Sequence, residues 1–483
     1  MNERFARAAL LALLAGLMFS LLAVHRDEND GAVYIVIARH LAADGTPFQL
    51  RYLSQTLPAF HEHPPLWIWL QAAALRVAPA VDVGLLGALC ALGTVAVTFS
   101  LGRMLLGARA AFLGCLLLAT NESFFRWSPT GKLDPPLVLL FTASVTLIVA
   151  AGTRGWLLAA GGLCAGVGAL VKGVPAFGAP VAAALLLLAG GRREGLKSPR
   201  SWLIVAAATL GPLALFFIHD RVALGGVWWR GYVHDQLLAS LGGSRTDGFG
   251  HLHLLRDLWG RGIPILPLAL LAPWGRSGRG SRVGLLLWAA LILVAFSVAA
   301  RAFWWYFLPA LPPLALAAGA ALDDVAVRFR QERLVERALP AVAALAGLLL
   351  LGLLPLRVAR VQARPCRFGS LAARAAGAAP GTASLGLVGR PADYPNQALL
   401  AEHTGRDVLL ADEVVALPRA IDVALAQGEV EVPVGWHALA REGRFALLAR
   451  DPVAGTRPPG WPPGRGAGLP GVIWERGRGA LLR

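Results

Sequence analysis

Apolar and polar positions along most of this chain come in blocks and do not alternate. Runs of Leu, Ala, Val and Gly fall near residues 5–24, 82–102, 110–121, 135–151, 156–171, 174–190, 202–218, 258–273, 283–300, 303–321 and 339–356. At about 1.5 Å per residue, most such runs can carry a helix across roughly 30 Å of hydrocarbon. A helix closes its backbone hydrogen bonds internally, as a lipid-exposed segment must. The pattern predicts an α-helical polytopic membrane domain over residues 1–356, with about eleven transmembrane helices. The first run has Arg4 and Arg7 at its start, is long for a signal peptide, and has no small-x-small site before His25. It reads as an uncleaved signal-anchor helix.

Two polar connections, 25–81 and 219–261, are too long to serve only as links, and long ordered loops usually carry function. Within the first, Gly31–Ala43 has helical apolar spacing. Pro64–Ala78 reads as a short helix at the membrane surface. After residue 356 the pattern changes. Pro and Gly become frequent, and short β-like runs appear at 383–388, 407–410, 445–449 and 472–474. Residues 357–483 are predicted to form a small soluble α/β or α+β domain.

Composition adds little to this reading: the chain is 56% hydrophobic, with a mean hydropathy of +0.59. Charge adds more. A net +16 invites a nucleic-acid partner, but the excess is not spread evenly. The predicted inner connections carry 16 basic and 6 acidic residues, the outer loops 13 and 12, and the tail 16 and 11. Most of the excess is therefore the positive-inside signal of a membrane topology, and no nucleic-acid partner is expected. The N-terminus is predicted to be cytoplasmic, with the long loops and the C-terminal domain outside the cytoplasm. Of four cysteines, Cys90, Cys115 and Cys164 lie in apolar runs, so no disulfide framework is read.

The same topology gathers chemistry on one face. All eight histidines of residues 1–356 fall on the outer side: His25, His40, His61, His63, His219, His234, His251 and His253. So do Asp27, Glu28, Glu62 and Asp134. Ionisable groups at a membrane face are costly and usually line a polar cavity, although long wet loops also simply hold more polar residues. Lysine is scarce, with three against 42 arginines. Lys132 and Lys172 both lie on the outer side, and a compact ammonium there suits a phosphate. Lys172 also reads as a snorkelling residue. Asp134-Pro135 also reads as a plain helix start. The tryptophan pairs 228–229 and 304–305 fit an interfacial belt better than sugar platforms.

Asp27-Glu28 after the first apolar run is followed by Tyr34, Ala38-Arg39 and Glu62-His63-Pro64-Pro65-Leu66 leading to Trp69. Later come Leu133-Asp134-Pro135, Lys172-Gly173, Arg301, Tyr306-Phe307-Leu308-Pro309 and Pro312-Pro313. In order and side this series, over about residues 5–320, resembles the protein O-mannosyltransferase and aminoarabinose transferase families, which are GT-C fold glycosyltransferases. One position departs: those aminoarabinose transferases typically have Lys before the Pro-Pro pair, where this chain has His63.

The resemblance implies a hexosyl- or pentosyltransferase of the inner membrane using a polyprenyl-phosphate sugar. The acceptor would be a lipid A-type glycolipid, an envelope glycan or a protein hydroxyl. It implies catalytic roles for Asp27 as base, and for Glu28 and Asp134 in orienting acceptor and sugar. Glu62, His63, Lys132, Lys172, Arg301 and Tyr306 would bind substrate, with Lys172 and Arg301 on the lipid phosphate. No separate cofactor is needed for the chemistry. Glu62 in one outer loop and His251 and His253 in the other are reasonable ligands for a divalent metal of the zinc type, and the resemblance associates a Glu just before the Pro-Pro turn and a His in the later loop with zinc. On the residues alone, Glu62 equally reads as a partner for the helix that follows it. A transporter or flippase of a lipid-linked sugar is the other function class for a multi-helix chain with intramembrane charge. It would be expected to show internal repeats and a midplane site, and the sequence shows neither.

Overall fold

In a computed structural model the predicted class is the observed one: a large helical bundle and a small sheet domain. The structure describes most of residues 2–353, and beyond them mainly 371–379, 384–389, 406–427, 432–442 and 445–450. The chain separates into two compact units. One comprises Met1–Val24 with His61–Arg357, and the other His25–Phe60 with Val358–Arg483.

In the first unit each of the eleven apolar runs contains helix. Among the described residues, seven helices are long and apolar enough to cross a membrane: Gly84–Leu106, Asp134–Ala151, Gly155–Lys172, Pro199–Ala223, Arg279–Ser297, Trp304–Arg328 and Leu334–Gly352. Leu66–Val77, Ala108–Thr120, Val174–Ala189 and Ile265–Trp274 are apolar but shorter. Their starts obey local chemistry. Asn121 accepts from the Phe124 N–H (3.1 Å) to open Glu122–Trp127. Pro135 and Pro136 occupy the first turn of the Asp134 helix, where no intrahelical N–H is needed.

Between helices, small residues allow the backbones to meet. A Cβ on Gly319 would lie 2.3 Å from the Gly114 nitrogen, and one on Gly347 2.4 Å from the Ala12 carbonyl carbon. Close contact of this kind substitutes for the hydrophobic drive that lipid does not supply.

Among the described residues, charged groups from several of the connections predicted on the inner side meet at one end of this unit. Arg109 bonds Asp323 (2.9 Å) and Glu336 (3.4 Å), and Arg103 bonds Glu3 (2.9 Å). Arg282, 4% exposed, holds Asp324 in a two-pronged pair, with Nη2 to Oδ1 at 3.1 Å.

In the second unit the predicted helix around Gly31–Ala43 is present as Asn29–Asp44, and Tyr34 stacks edge-on against Phe60 at 6.0 Å. Its sheet contains β1 (Leu385–Val388), β2 (Val408–Ala411), β3 (Val423–Gln427), β4 (Trp436–Glu442) and β5 (Phe445–Arg450), ordered β2-β1-β3-β5-β4. The pairs β1–β2 and β1–β3 are parallel, while β3–β5 and β4–β5 are antiparallel. Val388, Leu417, Ile421, Ala424 and Leu448 fill the core on one face. The alanine-rich strands β3 and β4 are not legible as strands in the sequence. The run at 472–474 lies outside the described residues.

Candidate functional site

The Pro-Pro motif opens Leu66–Val77, and that helix faces inward through Trp67, Ile68, Gln71, Ala72 and Leu75. It is therefore not only a surface helix. Trp67 Nε1 (3.1 Å) and Gln71 Nε2 (2.7 Å) both donate to the carbonyl oxygen of Gly131. That carbonyl immediately precedes Lys132, Leu133 and Asp134, so the early motif fixes the backbone that presents the later one.

Asp134 is the first residue of Asp134–Ala151, and Lys172 the last of Gly155–Lys172. The two helices form an antiparallel hairpin, which returns Lys172 to Asp134. Lys172 Nζ donates to Asp134 Oδ1, with only 10% and 6% of the two side chains exposed. The Tyr306 ring lies beneath the same ammonium, its centroid 4.8 Å from Nζ. Three residues singled out separately in the sequence thus converge.

The turn after Lys172 is locked from the other long loop. Gly173 has φ +86°, and the following Val174 N–H donates to the Tyr232 hydroxyl at 2.8 Å. Burial pushes the Tyr232 phenol up to about 12, although its bond from Val174 pulls the other way.

Lys132 is packed among aromatic rings. It is 2% exposed, and its Nζ lies 3.0 Å from the centroid of Trp127 and 5.1 Å from that of Trp305. Trp127 packs on Trp304 (4.5 Å) and Trp305 (5.0 Å), and the Arg261 guanidinium lies over the Trp304 ring, 4.1 Å from its centroid. Tryptophans 304 and 305 are thus part of a cation–aromatic cluster and not a lipid-facing belt. Trp228 departs from the belt reading too, because His61 (4.7 Å) and Phe216 (5.6 Å) enclose its ring. Its neighbour Trp229 is 52% exposed, as a belt residue should be.

Glu62 and His63 lie in the turn before the Pro-Pro helix, alongside the second long loop. His63 is 6.5 Å from Tyr232 between ring centroids, and a Cβ on Gly231 would lie 2.5 Å from His61 Cβ. Burial lowers the His61 pKa, partly offset by the charge of Asp220. Asp220, fully buried, accepts from the N–H groups of Trp228 (3.1 Å) and Trp229 (2.9 Å) and so shapes the turn that His61 rests on.

Asp27, Glu28, Arg301, His251 and His253 lie outside the described residues. Among those described, no three His, Cys, Asp or Glu side chains form a metal-binding group. Sequence reasoning missed Tyr232, Trp127, Arg261 and Asp220. Tyr232 carried a signal, as one of only five tyrosines in the chain.

Residues 62–218 match the family described as dolichyl-phosphate-mannose-protein mannosyltransferase. Two curated relatives are named undecaprenyl phosphate-alpha-4-amino-4-deoxy-L-arabinose arabinosyl transferase. The one from Pseudomonas savastanoi pv. phaseolicola is 27% identical over 289 residues, 55% of this chain and 52% of that protein. The one from Pectobacterium carotovorum is 30% identical over 236 residues, covering 47% and 42%. The chain thus spans about half the length of the curated relatives it matches. Among solved structures, ArnT from Cupriavidus metallidurans bound to undecaprenyl phosphate superposes with a TM-score of 0.68 at 17% identity, covering 94% of this chain and 99% of that one. The oligosaccharyltransferase AglB from Archaeoglobus fulgidus, solved with an inhibitory peptide and a dolichol-phosphate, gives 0.50 at 14% identity, covering 87% and 69%. The chain is a GT-C-fold membrane protein similar to the aminoarabinose transferases and protein O-mannosyltransferases.

Proposed function

We propose that the chain is a membrane glycosyltransferase that moves a sugar from a polyprenyl-phosphate carrier to an acceptor outside the cytoplasm. The observation that carries this reading is Lys172, a nearly buried ammonium between a carboxylate and an aromatic hydroxyl residue at one end of the helical bundle. A lipid-linked phosphate is an anion that such a group can meet at the membrane surface. The names of both relatives and the lipid bound to the Cupriavidus protein point to undecaprenyl phosphate. The relatives' sugar, 4-amino-4-deoxy-L-arabinose, is the first to test. A lipid A-type glycolipid, an envelope glycan and a protein hydroxyl are the acceptors to compare. A flippase has no comparable support, since the likenesses are to transferases.

In the proposed reaction an acceptor oxygen bonds to the anomeric carbon as the carbon–phosphate oxygen bond breaks. Asp27, assigned by resemblance, takes the acceptor proton. Lys172, with Arg301 by resemblance, meets the charge that grows on the leaving phosphate. Glu28 and Asp134 orient acceptor and sugar. Glu62, His251 and His253 are the residues that would hold a zinc-type ion as a clip between the two long loops. The contact of His61 with Trp228 and Gly231 brings the turn of Glu62 beside the second loop, as a clip needs. We place the N-terminus in the cytoplasm and the site and C-terminal domain outside it, on the charge asymmetry and the common end reached by Arg103, Arg109 and Arg282.

The test is an assay of membranes containing the full chain with a panel of labelled polyprenyl-phosphate sugars. Label should move from carrier to one acceptor class. Retention of label on every carrier across all acceptors would overturn the proposal.

A further inference from the structure

The contact between Asp134 and Lys172 bears on how a lipid phosphate gains access to the lysine. Both partners are fixed by backbone. Asp134 begins one helix and Lys172 ends its antiparallel neighbour, so each lies at the helix end whose dipole favours its charge. Neither side chain is more than 10% exposed, so each replaces much of the other's lost hydration. An ammonium offers three donors, and Asp134 Oδ1 takes one of them. A phosphate brings more charge and several strong acceptor oxygens, so it competes for the same group.

We infer that Asp134 is the resident counter-ion of Lys172 in the ligand-free protein, and that the phosphate of a lipid carrier displaces it. This rests on the reading of Lys172 as a phosphate ligand given above, and adds an order of events to it. While the pair is closed, Asp134 Oδ1 is held by the ammonium and the carboxylate's charge is matched, so it attracts a sugar hydroxyl less strongly. When phosphate draws the ammonium away, the carboxylate is released toward the sugar hydroxyls. A sugar without its phosphate therefore meets an occupied carboxylate, and the site favours a sugar attached to a phosphate over the free sugar. No covalent bond changes in this step, which exchanges one ion pair for another.

The inference makes a sign prediction opposite to that for an ordinary binding residue. In full-length protein in lipid nanodiscs, D134N should bind undecaprenyl phosphate more tightly than wild type, by about tenfold or more, the scale of one charge-assisted hydrogen bond. The gain should vanish in D134N/K172A, which should bind no more tightly than K172A. Undecaprenol, which lacks the phosphate, should not distinguish D134N from wild type. Should D134N fail to fold, D134S gives the same comparison with a residue suited to a helix start. A folded D134N or D134S that binds undecaprenyl phosphate equally or more weakly overturns the inference while leaving the phosphate site intact. A wild type with no saturable binding of undecaprenyl phosphate overturns the phosphate site itself.

Discussion

Gly173 and Tyr232 approach so closely that a methyl group on the glycine Cα would lie 1.6 Å from the tyrosine hydroxyl oxygen. The glycine's positive φ and the Val174 N–H bond to that hydroxyl make one joint. It holds the turn carrying Lys172. Y232F should cost about 1 kcal/mol of stability, the scale of one hydrogen bond. It should also raise the KM for the lipid donor more than it lowers kcat. G173A should be worse on both counts. G173A/Y232A should recover part of the loss by removing the clash, but not the strain of a positive φ on alanine. Thermal unfolding and steady-state kinetics on the four proteins check this.

Base and phosphate ligands should separate kinetically. D27N keeps the shape of the carboxylate and loses its basicity, so turnover should fall by about a hundred- to ten-thousandfold while donor binding persists. K172A and R301A should instead weaken donor binding together with turnover. Binding of undecaprenyl phosphate measured beside turnover separates the two patterns. A fully active D27N against a hydroxyl acceptor would remove Asp27 from the chemistry.

Lys132 should behave as a packed cation. K132M removes the charge from the face of Trp127, a loss of about 2 kcal/mol for a desolvated cation–π pair. K132R should retain most of the stability. A double-mutant cycle of K132M with W127L should be non-additive, because each change removes the same contact. Additive losses would mean that the two side chains are merely neighbours.

Orientation can be read with reporters. Fusions after Gly195 and after Gly377 should report opposite sides, cytoplasmic and external respectively. Two cytoplasmic reports would break the span count and the shared outer face together.

A zinc clip predicts about one metal ion per chain in purified protein, by elemental analysis, reduced by E62Q and by H251A/H253A. Full activity in metal-free protein, unchanged by chelator, would leave Glu62 as a partner for the Leu66–Val77 helix.

Much of the bundle was legible because lipid imposes one solution, the helix, on every long apolar run. The motif residues were legible because charge at a membrane face is rare. Their partnerships were less so. Asp134 and Lys172 are 38 positions apart, and only the hairpin returns one to the other. The aromatic packing of Lys132 was not legible because its two ring neighbours are not both local: Trp127 is five residues away, but Trp305 is far along the sequence and only the fold brings it near. Strands β3 and β4 escaped notice because Val-Ala-Leu-Ala-Gln and Trp-His-Ala-Leu-Ala-Arg-Glu carry helix-favouring alanines. Pairing within the sheet outweighs that preference.

The ion pairs of Arg109 and Arg282 have a consequence for biosynthesis. Their acidic partners, Asp323, Asp324 and Glu336, are all encoded later in the chain. While the ribosome is still working through the first 320 residues, both arginines are without these carboxylates. In the proposed orientation, that unneutralised charge holds the early connections on the cytoplasmic side during insertion. The late helices then bring the carboxylates that cancel it. The same guanidinium groups would thus act twice, first as topogenic signals in an unfinished chain and afterwards as fasteners of the finished bundle.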